Sequence, residues 1–190
     1  MNISQRKNRL VFDIEANGLL SDSTEIWCIS GKWIDKNNRF TLSNHIKERT
    51  LINRELLEKF ILDTDLLIGH NIINYDIPMI KKFYGIDLIK EIGIDKICDT
   101  YILSQLLYPD RQLPKGCPAS VYNPITRKSK IIGPHGLEAW GYRVGHKKIE
   151  IHDWREFTED ILTRCDGDVD INEKVYYKLL EEAGYDGRIV

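Results

Sequence analysis

Several things are scarce in this sequence. Its four cysteines, Cys28, Cys98, Cys117 and Cys165, lie far apart, with no C-x-x-C pair and no histidine at zinc-finger spacing. That argues against a disulfide framework or a thiolate metal site and makes unbridged thiols the expectation. The histidines, at 45, 70, 135, 146 and 152, form no H-E-x-x-H or comparable pair, so a histidine-held zinc centre is not expected. No apolar run approaches the roughly 20 residues of a membrane span. The N-terminal MNISQRKNRL has no apolar core of the kind a secretory signal needs. The chain therefore reads as cytoplasmic, with no membrane partner. Charge of one sign is missing too: 27 Lys plus Arg face 29 Asp plus Glu, a formal net charge of −2. A protein that grips nucleic acid through overall basicity would not look like this, so any polyanion must be met locally.

What is present is ordinary globular material. With 190 residues, 42% of them hydrophobic, the chain is long enough to bury about 70% of the surface its unfolded form exposes. It is too short for a complete template-directed polymerase. No linker or internal repeat is visible, so residues 1–190 are expected to form a single domain. RLVFDIE, Arg9 to Glu15, reads as a strand ending in two acids, and period two puts Asp13 and Glu15 on one face. Thr24–Ile34 and Arg39–Leu42, separated by the turn-like DKNN, extend this into a β-meander. Alternation follows. Asn53–Leu62 is expected to be a helix, Leu66–Ile68 a strand, Ile77–Tyr84 a helix with Pro78 in its first turn, and Cys98–Leu107 another helix. Glu156–Ala183 reads as two helices meeting near Asp166-Gly167-Asp168. The order indicates an α/β fold with a central mixed sheet flanked by helices.

Residues 108–134 stand apart as a long, basic, proline-rich insertion loop. The segment holds Pro109, Pro114, Pro118, Pro124 and Pro134, and its basic residues Arg111, Lys115, Arg127, Lys128 and Lys130 face a single acid, Asp110. A long loop within a compact domain is commonly functional or disordered. This one supplies the local positive charge that the composition as a whole lacks.

The residues that carry chemistry are acidic: Asp13 and Glu15 at a strand end, Asp76 after HNIINY at a helix start, and Asp168 at the start of a C-terminal helix. Strand ends present side chains beyond the packed core. Carboxylates gathered there repel one another and are driven toward protonation, a penalty that hard divalent cations such as Mg²⁺ and Mn²⁺ remove. Two such ions roughly 4 Å apart can clamp the attacking and leaving oxygens of a phosphodiester, and a bound ion lowers the pKa of water from about 15.7 toward 7. Taken alone, D-x-E on a strand is most simply a solvated pair. Asp166, Asp168, Asp170 and Asn172 imitate the start of a calcium loop, but Ile171 and Tyr177 stand where its glycine and glutamate belong.

Context changes the reading of the acids. FDIEANGL, HNIINYDIP, HGLEAWGYRVG and RCDGDV, in this order, resemble the exonuclease motifs of the DEDD superfamily, most closely the proofreading domains of T-odd bacteriophage family A polymerases. The resemblance runs from about residue 10 to residue 182. It implies an RNase H-like fold and makes Asp13, Glu15, Asp76 and Asp168 the metal ligands and catalytic acids for two Mg²⁺ or Mn²⁺ ions. It further implies that Asn17, Gly18 and Leu19 contact the 3′-terminal nucleotide and that Tyr75 lies near its base or sugar. Asn71 is expected among the substrate-binding residues, and Asn71 and His70 would shape the turn before Asp76. Trp140 and Tyr142 are read as core residues ahead of a base-stacking role. Glu138 stays open between a structural role and a place lining the site.

One position departs from the family pattern. Where the last motif carries a tyrosine four residues before the aspartate, or a histidine five before it, this chain has Arg164 and Thr163. Arg164 is read as contacting the scissile phosphate or water, as an engineered change, or as the mark of a weakened enzyme that chiefly binds; its simplest role is an i,i+4 ion pair with Asp168. The expected function is a metal-dependent 3′-5′ exonuclease releasing nucleoside monophosphates from single-stranded DNA ends, attenuated at Arg164. RNA is an alternative substrate, and a separate DNA polymerase subunit a possible partner in the host cytoplasm of a phage. The competing reading is a non-catalytic nucleic-acid-binding or polymerase-associated module derived from an exonuclease.

Overall fold

The computed structural model describes residues 7–47 and 49–184; the first six residues, read above for a secretory signal, lie outside that range. Five strands form one sheet in the order β3-β2-β1-β4-β5. They are β1 (Arg9–Ala16), β2 (Ile26–Trp33), β3 (Asn38–Ser43), β4 (Leu66–Gly69) and β5 (Ile97–Asp99). The first three run antiparallel as a meander, whereas β4 and β5 lie parallel to β1. The sheet is mixed and β1 is its centre.

Alternation along β1 divides the interior. Leu10, Phe12, Ile14 and Ala16 face a core shared with α1 (Arg54–Leu62), α2 (Asp76–Tyr84) and α3 (Leu88–Ile92). Val11 points the other way, onto Val169 and Tyr176 of α6 (Glu159–Glu182). Asp13 and Glu15 share that second face by period two. On that second face α4 (Thr100–Leu107) and α5 (Leu137–Arg143) pack against the C-terminal half of α6, α4 through Leu103 and Leu107 and α5 through Leu137 and Trp140.

The structure corrects several expectations. The C-terminal segment is one helix of 24 residues, so Asp168 sits in its middle and not at a helix start. Gly167 does not break it, because the buried stripe Ile161, Cys165, Asp168, Asn172, Val175 and Leu179 continues through at helical spacing, outweighing the roughly 1 kcal/mol a glycine costs. Cys98 and Asp99 belong to β5, and α4 begins at Thr100 under an Asp99 cap. The basic segment is not a featureless loop: β6 (Ser120–Asn123) and β7 (Lys128–Ile131) form a separate two-stranded hairpin within it. No disulfide joins the four cysteines, and Trp140 is fully buried. Among the described residues, no helix is long and apolar enough to cross a membrane.

Candidate active site

The site forms where β1 outruns its neighbour. Pairing between β1 and β4 ends at Val11 and Ile68; beyond it the chain leaves β4 through residues 70–75 and enters α2 at Asp76. The Ile14 N–H, left without a strand partner on that side, donates to Asp76 Oδ1 at 3.1 Å. A side chain thus completes the ladder, and the same bond fixes Asp76 beside the acids of β1.

Asp99 holds the turn that carries Asp76. Its carboxylate accepts the N–H groups of Asn71 (3.0 Å) and Ile73 (3.2 Å), and also those of Tyr101 (2.9 Å) and Ile102 (3.3 Å) at the start of α4. One buried group therefore ties β5, the turn and a helix N-terminus together. Asn71 enters the left-handed region at φ 62° and accepts from the Asn74 side chain. Gly69 is needed just before this turn, since a Cβ there would lie 2.6 Å from the Ile72 side chain.

On the other side, α6 delivers Asp168. Its place in the buried stripe turns the carboxylate toward β1, and Cys165, one turn earlier, donates its thiol to the Asp13 carbonyl at 3.4 Å. Asp13, Glu15 and Asp168 offer carboxylate oxygens that all lie within 4.8 Å of one another. Asp76 lines the same cleft, of about 770 Å³, just outside this trio.

Burial is the largest cause that pushes the Asp13, Glu15 and Asp76 carboxyls above the usual carboxylate range; repulsion among the acids adds to it. At Asp13 and Glu15 nearby cations oppose this, Lys148 at both and Arg164 at Glu15. Lys148 Nζ lies 2.5 Å from Asp168 Oδ2, and Arg164 Nε lies 3.1 Å from Glu15 Oε1 and 3.8 Å from Asp168 Oδ2. Arg164 also donates to the Ile149 carbonyl at 2.6 Å and lies over the Trp154 ring. The i,i+4 pair with Asp168 exists, but the shorter contact is to Glu15. Asp168 Oδ1 is buried without a hydrogen-bond partner. An all-carboxylate donor set with an unsatisfied buried oxygen fits a hard divalent cation.

The remaining sequence candidates separate. Tyr75 and Asn71 line the cleft, and the Tyr75 hydroxyl donates to the Gly18 carbonyl at 2.8 Å. Asn17 spends its side chain on its own loop, donating to Thr24 Oγ1 and accepting from Ser23 Oγ, Thr24 N and Glu25 N. Gly18 and Leu19 belong to the same loop, and Leu19 is exposed. Glu138 lines the cleft. Asp166 and Asp170 are paired with Arg39 of β3, outside any calcium loop.

Sequence reasoning missed Lys148 and Asp99, and it named His70 only for the turn before Asp76 and Lys130 only as part of the basic loop. His70 Nε2 is buried without a partner, and its Nδ1 meets Thr100 Oγ1 at 2.9 Å; burial, helped by Lys148, lowers its pKa to about 3, so the ring is neutral. Asp99 alone had a local signal, an acid directly before a helical apolar pattern.

A sequence model of the RNase_H superfamily, RNase_H_2, matches residues 10–112, the stretch that contains Asp13, Glu15, Asp76 and the turn between β4 and α2. The chain belongs to the RNase H superfamily. Curated relatives of this RNase H-like chain include the DNA-directed DNA polymerase of Escherichia phage T7, 28% identical over 199 residues, and that of Enterobacteria phage T3, 28% identical over 196 residues. Each match covers 93% of this chain and 27% of the polymerase, so the chain spans about a quarter of the length of these relatives and resembles their exonuclease-like domain. Among solved structures, one described as the apo form of a nuclease superposes with a TM-score of 0.59 at 18% identity, covering 96% of this chain and 76% of the other. NrnC of Brucella melitensis with bound Mg²⁺ gives 0.56 at 16% identity, covering 94% and 76%. These likenesses establish the RNase H-like fold.

Proposed function

We propose that this chain is a single-domain, metal-dependent 3′-5′ exonuclease that hydrolyses the terminal phosphodiester of single-stranded DNA and releases nucleoside monophosphates. The observation that carries the reading is the Asp13, Glu15 and Asp168 cluster within 4.8 Å, with Asp76 beside it in the same cleft. Asp13, Glu15 and Asp168 would hold one Mg²⁺ or Mn²⁺ and Asp76 would help hold a second. The ions would supply a nucleophile at neutral pH and charge neutralisation at the phosphate.

The chain's own residues set the frame for that chemistry. The Ile14 N–H and the turn held by Asp99 keep Asp76 in place. Tyr75, fixed to Gly18, forms a wall suited to the terminal base or sugar, and Asn17 supports the loop that carries Gly18 and Leu19. Arg164 and Lys148 hold Glu15 and Asp168 in position before metal and substrate arrive, and their ammonium and guanidinium groups can turn to the scissile phosphate. Arg164 offers no general base, and general acid-base help is typically worth about 10²–10⁴-fold, so turnover is expected to be reduced but measurable. Similarity to the polymerases favours DNA over RNA, and action beside a separate polymerase subunit in a phage host is part of the same reading.

The pairing of Arg164 and Lys148 with the acids also supports a second reading, a non-catalytic nucleic-acid-binding module. One experiment separates them: 5′-labelled single-stranded DNA with Mn²⁺, alongside Asp13→Ala. A ladder shortening from the 3′ end that vanishes in the variant supports the exonuclease; binding without metal-dependent shortening supports the module. Arg164→Tyr is expected to raise turnover, and unchanged or lower turnover would refute this account of the position.

A further inference from the structure

No residue of the β6–β7 hairpin belongs to a hydrophobic core of the protein. Among the described residues the hairpin's strands pair only with each other, and every residue of β7 is exposed. It is nonetheless fixed in place. Ile132 N donates to the Ala119 carbonyl at 2.9 Å at its base. Asn123 closes its turn by accepting from Ile125 N and Thr126 N, and the same side chain donates to the His152 carbonyl at 2.8 Å. That last bond pins the hairpin to the segment over which Arg164 reaches.

The pinned face looks into the acidic cleft. Val121, Asn123 and Lys130 line it. The register pairs Val121 with Lys130 and Asn123 with Lys128, and directly opposed residues share a face, so Lys128 lies on the same face as Lys130; of the two, Lys130 is the one that lines the cleft. At about 3.4 Å per residue the two lysines stand roughly 7 Å apart, comparable to the separation of successive phosphates along an extended single strand. Neither lysine has a carboxylate within ion-pair distance among the described residues. Lys130 shares the cleft with Lys148 and Arg164 and with the carboxylates of Glu15 and Glu138. Cations kept side by side on a cleft wall suit a polyanion lying between them.

We propose that the β6–β7 hairpin is a strand-holding arm, in which Lys130 and Lys128 contact successive backbone phosphates of a single strand whose 3′ end lies at the acidic cluster. The preferred substrate is then a tail several nucleotides long and not a dinucleotide. The proposal rests on the exonuclease reading for the direction of the strand.

The test is fluorescence anisotropy of 5′-labelled oligothymidylates of two and eight nucleotides in Ca²⁺, over about 50 to 200 mM salt, for the wild-type chain and Lys128→Gln/Lys130→Gln. Two lost phosphate contacts should lower the salt slope for the octamer by about 1.4, so that the wild-type chain loses about sevenfold more affinity than the variant across that range. The dinucleotide, which does not reach Lys128, should lose far less. Asn123→Ala, which keeps every charge but frees the hairpin, should weaken the octamer selectively. Unchanged octamer binding, an equal loss for both lengths, or a wild-type chain that binds neither overturns the arm. Mn²⁺-dependent shortening of the same oligonucleotides is scored separately: hydrolysis with unchanged octamer binding removes the arm alone, and no hydrolysis with the expected slopes removes the exonuclease reading alone.

Discussion

Arg164→Met isolates the charge that Arg164 brings to the cluster while keeping much of its apolar stem. The side chains of Arg164 and Glu15 are each 14% exposed, so the pair is close to the buried regime, where removing one partner costs about 3–5 kcal/mol. Lys148 remains nearby and Glu15 can take up a proton, which brings the expected loss below that range, to about 2–3 kcal/mol without metal. For a chain of this length that corresponds to a fall in Tm of about 4–12 °C. Loss of the arginine raises the already elevated Glu15 pKa further. A raised carboxyl pKa stabilises the folded state at low pH and is lost as pH climbs above the unfolded value of about 4.3. The deficit in EDTA should therefore be larger at pH 8 than at pH 5. Saturating Mn²⁺ supplies the missing positive charge and should shrink the deficit to about 1 kcal/mol, the worth of the hydrogen bond to Ile149 and the contact with Trp154. Thermal melts at both pH values, with EDTA and with Mn²⁺, read all four quantities. An identical deficit with and without Mn²⁺ would show that Arg164 acts through packing and would refute its role as a counter-charge.

Asp13→Asn should raise metal-free stability at pH 8, because the raised Asp13 pKa makes the wild-type fold lose stability as pH rises above about 4; the gain should fade toward pH 4. Mn²⁺ at about 100 times its Kd should stabilise the wild-type chain by about 2.7 kcal/mol and the variant much less, a contrast that melting curves check directly. Asp99→Ala should cost about 2 kcal/mol or more in denaturant unfolding, since four backbone N–H groups lose their acceptor, and it should lower exonuclease turnover by loosening the turn that carries Asp76. Gly141→Ala puts a Cβ 2.8 Å from the His146 carbonyl and 3.5 Å from Lys148 N; the displaced segment should weaken the Lys148 contact with Asp168, read as a smaller dependence of Tm on Lys148→Met in the Ala background. Full additivity of the two substitutions would sink that coupling.

The sequence by itself determined the parts that local rules govern. The alternation in RLVFDIE put Asp13 and Glu15 on one face, the meander and the α/β order followed from apolar periods and turn residues, and the order of the four acidic motifs pointed to the superfamily. Helix continuity through Gly167 was not legible, because the local glycine signal is weak beside the burial of Ile161 to Leu179 against the sheet, α4 and α5, which is a tertiary gain. The hairpin of residues 120–131 was hidden by Pro124, by the prolines that flank it and by its exposed polar residues, which imitate an unstructured loop. Only the tertiary structure decided what surrounds the acids. Lys148, Arg164 and Lys130 come from three separate segments with no spacing that links them, and Asp99 serves Asp76 across a parallel strand pair. Electrostatic partnership depends on distance in space and on burial, and neither is encoded by separation along the chain.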